Sequence, residues 1–245
     1  MSELVMIGTS DAFGAGGRRQ SAYLLRTPAG SVLIDCGGTT ASGLAALGIG
    51  RDEVDAILLT HFHADHFGGV PLLLLGAHYV DRRRRPLTVA GPPGVERRVR
   101  EVAHALGHTL DEHRLGFDLH FQEIPTGATR EVGPVEARAF ATFHSPDSVP
   151  HGLVVRAGQR RVAYSGDTGW FDALPGEVNS ADLFLCECTQ VQREFEYHLS
   201  LDELAERSRE FDCGRLVLTH LGAEMRALQD SQGFEIADDG RVLKL

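Results

Sequence analysis

Four possible metal ligands lie within six positions of the chain, in the pattern H-x-H-x-D-H formed by His61, His63, Asp65 and His66. His61 and His63 are two residues apart, so in an extended segment they point the same way. Asp65 and His66 are adjacent and are expected to diverge at the start of a helix, which predicts two ions about 3.5–4 Å apart. Three imidazoles and a carboxylate suit a borderline metal such as Zn²⁺.

The segments on either side of this motif would position it at the end of a strand. The apolar run from Val54 to Thr60 predicts a buried strand, and the segment after Gly68 and Gly69 predicts a helix. Open sites in α/β proteins are usually built where a strand ends and a helix begins. A chance cluster of surface histidines is the alternative, and the density of the motif and its context disfavour it.

Three more potential ligands also follow predicted strands. His144 follows A-R-A-F-A-T-F, Asp167 lies in S-G-D-T, and His220 lies in L-V-L-T-H-L. Taken singly, each has a structural interpretation as a buried histidine or a turn residue. Together with the motif they complete a set of seven ligands. His198 precedes a helix predicted over 201–211, with Ser200 as its N-cap.

Composition excludes several classes of protein. A net charge of -10 over 245 residues disfavours a large nucleic-acid surface, and the apolar runs are too short to span a bilayer. Four cysteines do not form a disulfide framework in a chain of this length. The chain begins with a strand-like run rather than a signal peptide. We therefore expect a cytoplasmic protein with reduced thiols, folded over 1–245 as a single domain.

The remaining patterns predict two sheets with helices outside, an α/β (α+β) architecture. The first half is rich in strands and the second alternates strands with helices. The run from Arg82 to Arg85 is interpreted either as a phosphate-binding patch or as an exposed linker. The linker is favoured because blocks of like charge usually mark exposed segments.

The chain resembles the metallo-β-lactamase superfamily and, within it, the phosphodiesterase branch that includes ribonuclease Z. The resemblance rests on the motifs R-R-Q-S-A-Y-L-L, L-I-D-C-G, T-H-F-H-A-D-H-F-G-G, S-G-D-T, L-C-E-C-T and L-T-H-L. It implies a four-layer αββα sandwich with two metals at one edge. One ion would be held by His61, His63, His144 and Asp167, and the other by Asp65, His66, Asp167 and His220.

Two features of the resemblance favour phosphodiester hydrolysis. Asp167 stands where the β-lactamases carry a cysteine, and His198 is similar to a histidine that this branch uses near the leaving group. The resemblance implies that Asp65 orients or deprotonates the nucleophile and that His198 is the general acid. Either Glu187 or Glu196 would hold the imidazole of His198 in the required tautomer.

One difference between this chain and most members of the branch narrows the range of expected substrates. Most ribonucleases Z carry an extended tRNA-gripping arm between the motifs of His144 and Asp167, and a tight hairpin fills that space here. The expected substrate is therefore a small or cyclic nucleotide or ribose phosphate.

Other activities stay open. They are a tRNA 3′-processing endonuclease, which would need Arg82 to Arg85 or a partner subunit as its basic surface, a thioester or lactone hydrolase, and a non-catalytic biosynthetic accessory protein. Zn²⁺ is the expected metal, with Mn²⁺ also compatible. Members of this branch often form homodimers, so a homodimer is expected.

Overall fold

The computed structural model describes residues 2–110 and 115–245, and in this part of the chain fourteen strands form two seven-stranded sheets. The strands are β1 (Glu3–Gly8), β2 (Ala22–Thr27), β3 (Gly30–Ile34), β4 (Ala56–Leu58), β5 (Leu87–Gly91), β6 (Leu119–Glu123), β7 (Thr129–Val132), β8 (Val135–Ala141), β9 (His151–Ala157), β10 (Arg160–Tyr164), β11 (Leu183–Glu187), β12 (Leu216–Thr219), β13 (Glu235–Ile236) and β14 (Val242–Lys244). The helices are α1 (Thr40–Ala46), α2 (Ala64–Phe67), α3 (Val70–Tyr79), α4 (Val95–Ala105), α5 (Leu174–Glu177), α6 (Leu201–Arg207) and α7 (Ala223–Ala227).

The two sheets share one plan. The first has the strand order β14-β1-β2-β3-β4-β5-β6 and the second β13-β12-β11-β10-β9-β8-β7. In the first sheet β14 through β3 pair antiparallel, and β3 through β6 pair parallel. In the second, β7 through β10 pair antiparallel, and β10 through β13 pair parallel. In each sheet the carboxyl ends of the parallel strands therefore lie together at one edge, where ligand sites of α/β proteins are usually built.

Alternation of side chains along the strands builds the layers. In β2, Tyr23 and Leu25 face the second sheet, while Leu24 packs outward with the helices of the first. α3 contributes Leu73 to that outer core, and α6 contributes Leu204 to the outer core of the second sheet. The predicted four-layer αββα sandwich is confirmed. Among the described residues, no helix is long and apolar enough to cross a membrane.

Two local expectations need correction. The helix predicted over 201–211 ends as an α-helix at Arg207, and a 3₁₀ turn over Ser208–Glu210 completes it. Arg83 is buried rather than part of an exposed linker. Its guanidinium donates hydrogen bonds to the carbonyl oxygens of Arg85 and Pro86. The arginine run therefore contributes a structural side chain as well as exposed ones.

Close backbone contacts fix the position of the motif. The amide of Cys36 donates to the carbonyl oxygen of His66 at 2.6 Å, and the amide of Gly69 donates to that of Cys36 at 2.9 Å. A Cβ at Gly37 would lie 2.2 Å from the carbonyl oxygen of Asp65. The segment after β3 and the motif can thus touch only because Gly37 has no side chain.

Candidate metal centre

All seven predicted ligands converge in two groups of side chains. Within each group, one ligand atom per residue lies within 4.8 Å of the others. The first group contains His61, His63, His144 and Asp167, and the second contains Asp65, His66, Asp167 and His220. Asp167 belongs to both groups, as a carboxylate that bridges two ions would.

Strand ends from both sheets deliver these side chains. His61 and Asp65 come from the segment after β4, whereas His144, Asp167 and His220 follow β8, β10 and β12. His220 has a φ of 53°, a left-handed backbone conformation that is unusual for a residue other than glycine. Such strain clusters at functional sites, where the surrounding structure holds it.

The prediction that Asp65 and His66 diverge is wrong. His66 Nε2 lies 3.2 Å from an Asp65 carboxylate oxygen, so the two residues serve the same group. A contact with Asp35 orients the imidazole ring of His66, because His66 Nδ1 lies 2.7 Å from a carboxylate oxygen of Asp35. Two ions are indicated instead by the separate group around His61, His63 and His144.

The site meets a direct test for a missing cation. Three buried polar atoms, His61 Nε2, His66 Nε2 and Asp167 Oδ1, make no hydrogen bond of acceptable geometry among the described residues, although His66 Nε2 lies 3.1 Å from Asp167 Oδ1. Burying unpaired polar atoms is costly, so native proteins seldom leave three at one place. All three belong to the two ligand groups, and imidazole nitrogens with carboxylate oxygens are ligands that Zn²⁺ accepts.

Burial and neighbouring charges shift the pKa values of the histidines in the site in opposite directions. Burial, opposed by Asp167, lowers the pKa of His61 well below its usual value. Burial also opposes the charged forms of His66 and Asp167, but their mutual attraction, with neighbouring charges, raises the pKa of His66 and lowers that of Asp167. The carboxylates therefore stay ionised, and His61 stays neutral, the form that binds a metal.

Asp35 supports one ligand of each group. It accepts a hydrogen bond from His66 Nδ1 at 2.7 Å. It also accepts one from the Thr60 hydroxyl, whose oxygen lies 3.0 Å from His61 Nδ1. These contacts assign the proton of each histidine to Nδ1 and leave Nε2 free to bind a cation.

A matching arrangement on the second sheet connects His220 to His198. Glu187 Oε1 lies 2.7 Å from His198 Nδ1, and Glu187 Oε2 accepts a hydrogen bond from the Thr189 hydroxyl at 3.0 Å. The same hydroxyl oxygen lies 2.8 Å from His220 Nδ1. Of the two glutamates considered from the sequence, Glu187 is the one that holds His198, whereas the side chain of Glu196 is exposed.

The hydrogen bond to Glu187 changes what His198 can do. Burial lowers the pKa of His198, but the charge of Glu187 and its hydrogen bond outweigh burial and raise that pKa to about 9. Glu187, His198 and His220 also lie close enough to form a third group of metal ligands. We interpret Glu187 and His198 as a hydrogen-bonded pair rather than as metal ligands, because His198 Nδ1 is already directed at the Glu187 carboxylate.

Three supporting residues were not identified from the sequence. They are Asp35, Thr60 and Thr189, and each acts by hydrogen bonding to a histidine rather than as a ligand. Asp35 carried a detectable signal, since it is a carboxylate at a strand end in I-D-C-G-G. The threonines had none, because a single hydroxyl near a motif is common in any chain.

Comparison with known proteins places the chain in a family. It is 27% identical over 240 residues to the ribonuclease Z of Mycobacterium bovis strain BCG, covering 90% of this chain and 86% of that protein. The structure of YhfI from Bacillus subtilis, a metallo-β-lactamase fold protein, matches with a TM-score of 0.80, 22% identity and full coverage of both chains. The short form of human tRNase Z matches with a TM-score of 0.79 and 22% identity, covering 99% of this chain and 98% of that one.

These matches confirm the resemblance to the ribonuclease Z-like branch, and the two solved structures share its fold. A family model described as "Anti-Pycsar protein Apyc1" matches residues 2–239. The chain therefore belongs to the family of the anti-Pycsar protein Apyc1, and it has the metallo-β-lactamase fold.

Proposed function

We propose that the protein is a dinuclear-metal hydrolase that cleaves phosphodiester bonds in a small or cyclic nucleotide or ribose phosphate. The observation that carries this proposal is the position of His198. Its ring lies 5.1 Å from that of His144 and 5.5 Å from that of His220, so it borders both ligand groups. Its Nδ1 is held by Glu187, and the ring is only partly buried.

The ligand set assigns the ions. His61, His63, His144 and Asp167 would hold one, and Asp65, His66, Asp167 and His220 the other. Two divalent ions supply an activated water and neutralise charge on the phosphoryl oxygens. Zn²⁺ fits the histidine-rich set best, and Mn²⁺ fits a set that also contains carboxylates.

The side chains account for the two proton transfers. Asp65 is ionised and lies within the second ligand group, with one oxygen 3.2 Å from His220 Nε2, and we assign it the role of orienting the attacking water or accepting its proton. The protonated His198 donates its Nε2 proton to the leaving oxygen. A positioned general acid typically contributes about 10²–10⁴-fold to the rate. Glu187 is a positioning residue that keeps His198 protonated and aimed.

The surface around the site favours a small substrate. β9 and β10 form the hairpin between His144 and Asp167 and leave no room for a long arm. In the arginine run, Arg83 is buried, and Arg85 forms an ion pair with Asp55 at 2.8 Å. With a net charge of -10, these features supply little attraction for a long polyanion.

A tRNA 3′-processing endonuclease is the second candidate, because the curated relatives are named ribonuclease Z. A thioester hydrolase would gain little from the pair of Glu187 and His198, because a thiolate leaves readily without protonation. A non-catalytic accessory protein would not need it either. We also propose one domain over 1–245, since the core between the sheets takes side chains from both ends of the chain, among them Leu4 of β1 and Leu243 of β14. Three buried free cysteines fit the cytoplasm, and a homodimer stays a prediction.

The deciding experiment compares three substrates on purified protein of known metal content. They are bis-p-nitrophenyl phosphate, a panel of cyclic nucleotides and a precursor tRNA. We expect turnover of the first two and no cleavage of the tRNA. Cleavage of the tRNA would favour the endonuclease, and two bound metals without any turnover would favour the accessory protein.

A further inference from the structure

A basic cavity of about 270 Å³ lies at the end of α3, away from the metal centre. We name it the arginine cavity, and the residues that line it are His78, Tyr79, Arg82, Arg83, Arg84 and Gly116. α3 begins at Val70, just after the H-x-H-x-D-H motif, and its 10 residues extend roughly 15 Å. The arginine cavity is therefore at the opposite end of this helix from the proposed metal ligands.

The three arginines of the cavity are not equivalent. The guanidinium of Arg83 is buried, forms an ion pair with Asp52 at 3.2 Å and donates to two carbonyl oxygens. Among the described residues, the exposed side chain of Arg82 has no hydrogen-bond or ion-pair partner. The exposed side chain of Arg84 has one long hydrogen bond, at 3.4 Å to the carbonyl oxygen of Gly116. Two guanidiniums are therefore available to a ligand.

The carboxylates around the arginine run are already paired with other arginines. Asp81 accepts two hydrogen bonds from Arg51, each at 2.7 Å. Asp55 forms an ion pair with Arg85 at 2.8 Å. Two like charges that share one cavity repel each other, and an anion between them removes that cost. The arginine cavity is therefore a locally cationic site on a chain whose net charge is -10.

The backbone holds the arginine cavity in a defined shape. Arg82 has a φ of 52°, a left-handed conformation that is unusual for a residue other than glycine and that clusters at functional sites. The amide of Gly116 donates a hydrogen bond to His78 Nδ1 at 2.9 Å, so the neutral imidazole carries its proton on Nε2 and is a donor there. A Cβ at Gly116 would lie 3.2 Å from the carbonyl oxygen of Arg83 and 3.4 Å from a guanidinium nitrogen of Arg84. A side chain at position 116 would therefore narrow the cavity.

The chemistry and size of the arginine cavity favour a phosphate group. The planar guanidinium matches the geometry of phosphate oxygens and binds them through paired hydrogen bonds. Ligand pockets usually measure about 300–1,000 Å³, so this cavity, at about 270 Å³, admits only a small molecule. The net charge of -10 repels a nucleic-acid strand or an anionic membrane around it. A small soluble anion that carries a phosphate is therefore the ligand that fits best.

We propose that the arginine cavity binds the phosphate group of a small soluble anion, with Arg82 and Arg84 as its main contacts. His78 Nε2 supplies a further donor. This site is separate from the metal centre and takes its ligand whether or not the protein hydrolyses phosphodiesters. Removing a charged hydrogen-bond donor typically weakens binding by about 10-fold or more, so the loss of both arginines should weaken it by about 100-fold.

The test measures binding of inorganic phosphate to the metal-loaded protein by equilibrium dialysis at constant ionic strength. The variant is Arg82→Asn with Arg84→Ala, because asparagine tolerates the left-handed φ of position 82. We expect wild type to bind a phosphate that this variant binds about 100-fold more weakly, while any phosphate at the metals is unaffected. Arg130→Asn with Arg209→Ala is the matched control, since it removes the same charge from two exposed positions elsewhere. Equal phosphate binding by the two variants would overturn the proposal.

Two further measurements locate the anion and identify its source. Crystals soaked in tungstate, an electron-dense analogue of phosphate, should show anomalous density between Arg82 and Arg84. Density at the metals alone would overturn the site. In sedimentation with phosphatidylcholine vesicles that contain phosphatidic acid, the wild-type protein should stay in solution. Pelleting that is lost in the Arg82→Asn and Arg84→Ala variant would show that the cavity takes a lipid headgroup, which would overturn the soluble ligand.

Discussion

Glu187 Oε1 lies 2.7 Å from His198 Nδ1, and on the opposite sheet Asp35 Oδ2 lies 2.7 Å from His66 Nδ1. Each carboxylate also reaches a second histidine through a threonine hydroxyl, Thr189 for His220 and Thr60 for His61. The two sheets thus contribute matching supports to the centre. The two histidines supported by Asp35, His61 and His66, are both proposed ligands. Of the two supported by Glu187, His220 is a proposed ligand and His198 is the proposed general acid.

The first prediction concerns Glu187. Glu187→Gln removes the charge that raises the pKa of His198 to about 9, so that pKa falls. A general acid works only while protonated, so the alkaline limb of the kcat/KM profile should move to lower pH by about one unit or more. A fall of the His198 pKa by one unit, from about 9 to about 8, would roughly halve the protonated fraction at pH 8, so turnover of a substrate with a poor leaving group should drop there by at least about twofold.

A double variant provides the control for this prediction. If Glu187 acts through His198, then Glu187→Gln should cost little in a His198→Ala background. Full additivity of the two losses would assign Glu187 a separate role. An unmoved alkaline limb in Glu187→Gln would contradict its effect on the acid.

The second prediction concerns Thr189. Thr189→Val keeps the shape of the side chain and removes the hydroxyl between His220 Nδ1 and Glu187 Oε2. Because outer hydrogen bonds orient metal-binding histidines, affinity for the second ion should fall about 10–100-fold, as measured by competition with a chelator. Thr189→Ser keeps the hydroxyl and should retain affinity. Equal loss in the serine variant would rule out the hydrogen-bonding explanation.

The third prediction concerns Gly169. A Cβ there would lie 1.8 Å from the carbonyl oxygen of Glu196, so Gly169→Ala must displace the segment that carries Tyr197 and His198. We expect more than about 10-fold loss of kcat/KM as the bond from His144 to the Tyr197 carbonyl is broken. Gly176→Ala is the matched control, because a Cβ at Gly176 meets nothing within 4 Å. Similar kinetics in the two variants would show that this close contact is unimportant.

The fourth prediction concerns stability in acid. Burial lowers the pKa of His151 to about 4 from 6.5, so the unfolded chain binds a proton there more readily than the folded protein does. The contribution is complete above pH 6.5 and is lost as the pH falls toward 4, by up to roughly 3 kcal/mol. His151→Gln should flatten the pH dependence of urea unfolding between pH 4 and 6.5, relative to wild type, in chelator-treated protein. Parallel curves would show that His151 does not titrate in this range.

Much of this architecture could be predicted from the sequence because the relevant signals are local. His61 to His66 are contiguous, and period-two alternation in segments such as 22–27 assigns strands without tertiary information. The seven candidate ligands could be selected from the sequence because they lie in the H-x-H-x-D-H motif or just after a predicted strand, and the structure brings them together.

The remaining features depend on contacts between distant parts of the chain. Thr60 meets Asp35 across 25 positions, and Thr189 meets His220 across 31. Arg83 is buried because Asp52 and backbone carbonyls surround its guanidinium, which no local charge pattern reveals. The convergence of Asp65 and His66 likewise follows from Asp35 aiming the imidazole.

The most direct test of the proposed function is a metal titration of the chelator-treated protein, with bound metal and hydrolysis of a cyclic nucleotide measured in the same samples. We expect turnover to rise with occupancy and to be complete near two ions per chain. Asp167→Ala, which lacks the carboxylate common to both groups, should bind metal poorly and stay inactive. Two tightly bound ions in the wild-type protein with no hydrolysis of any phosphodiester would contradict it.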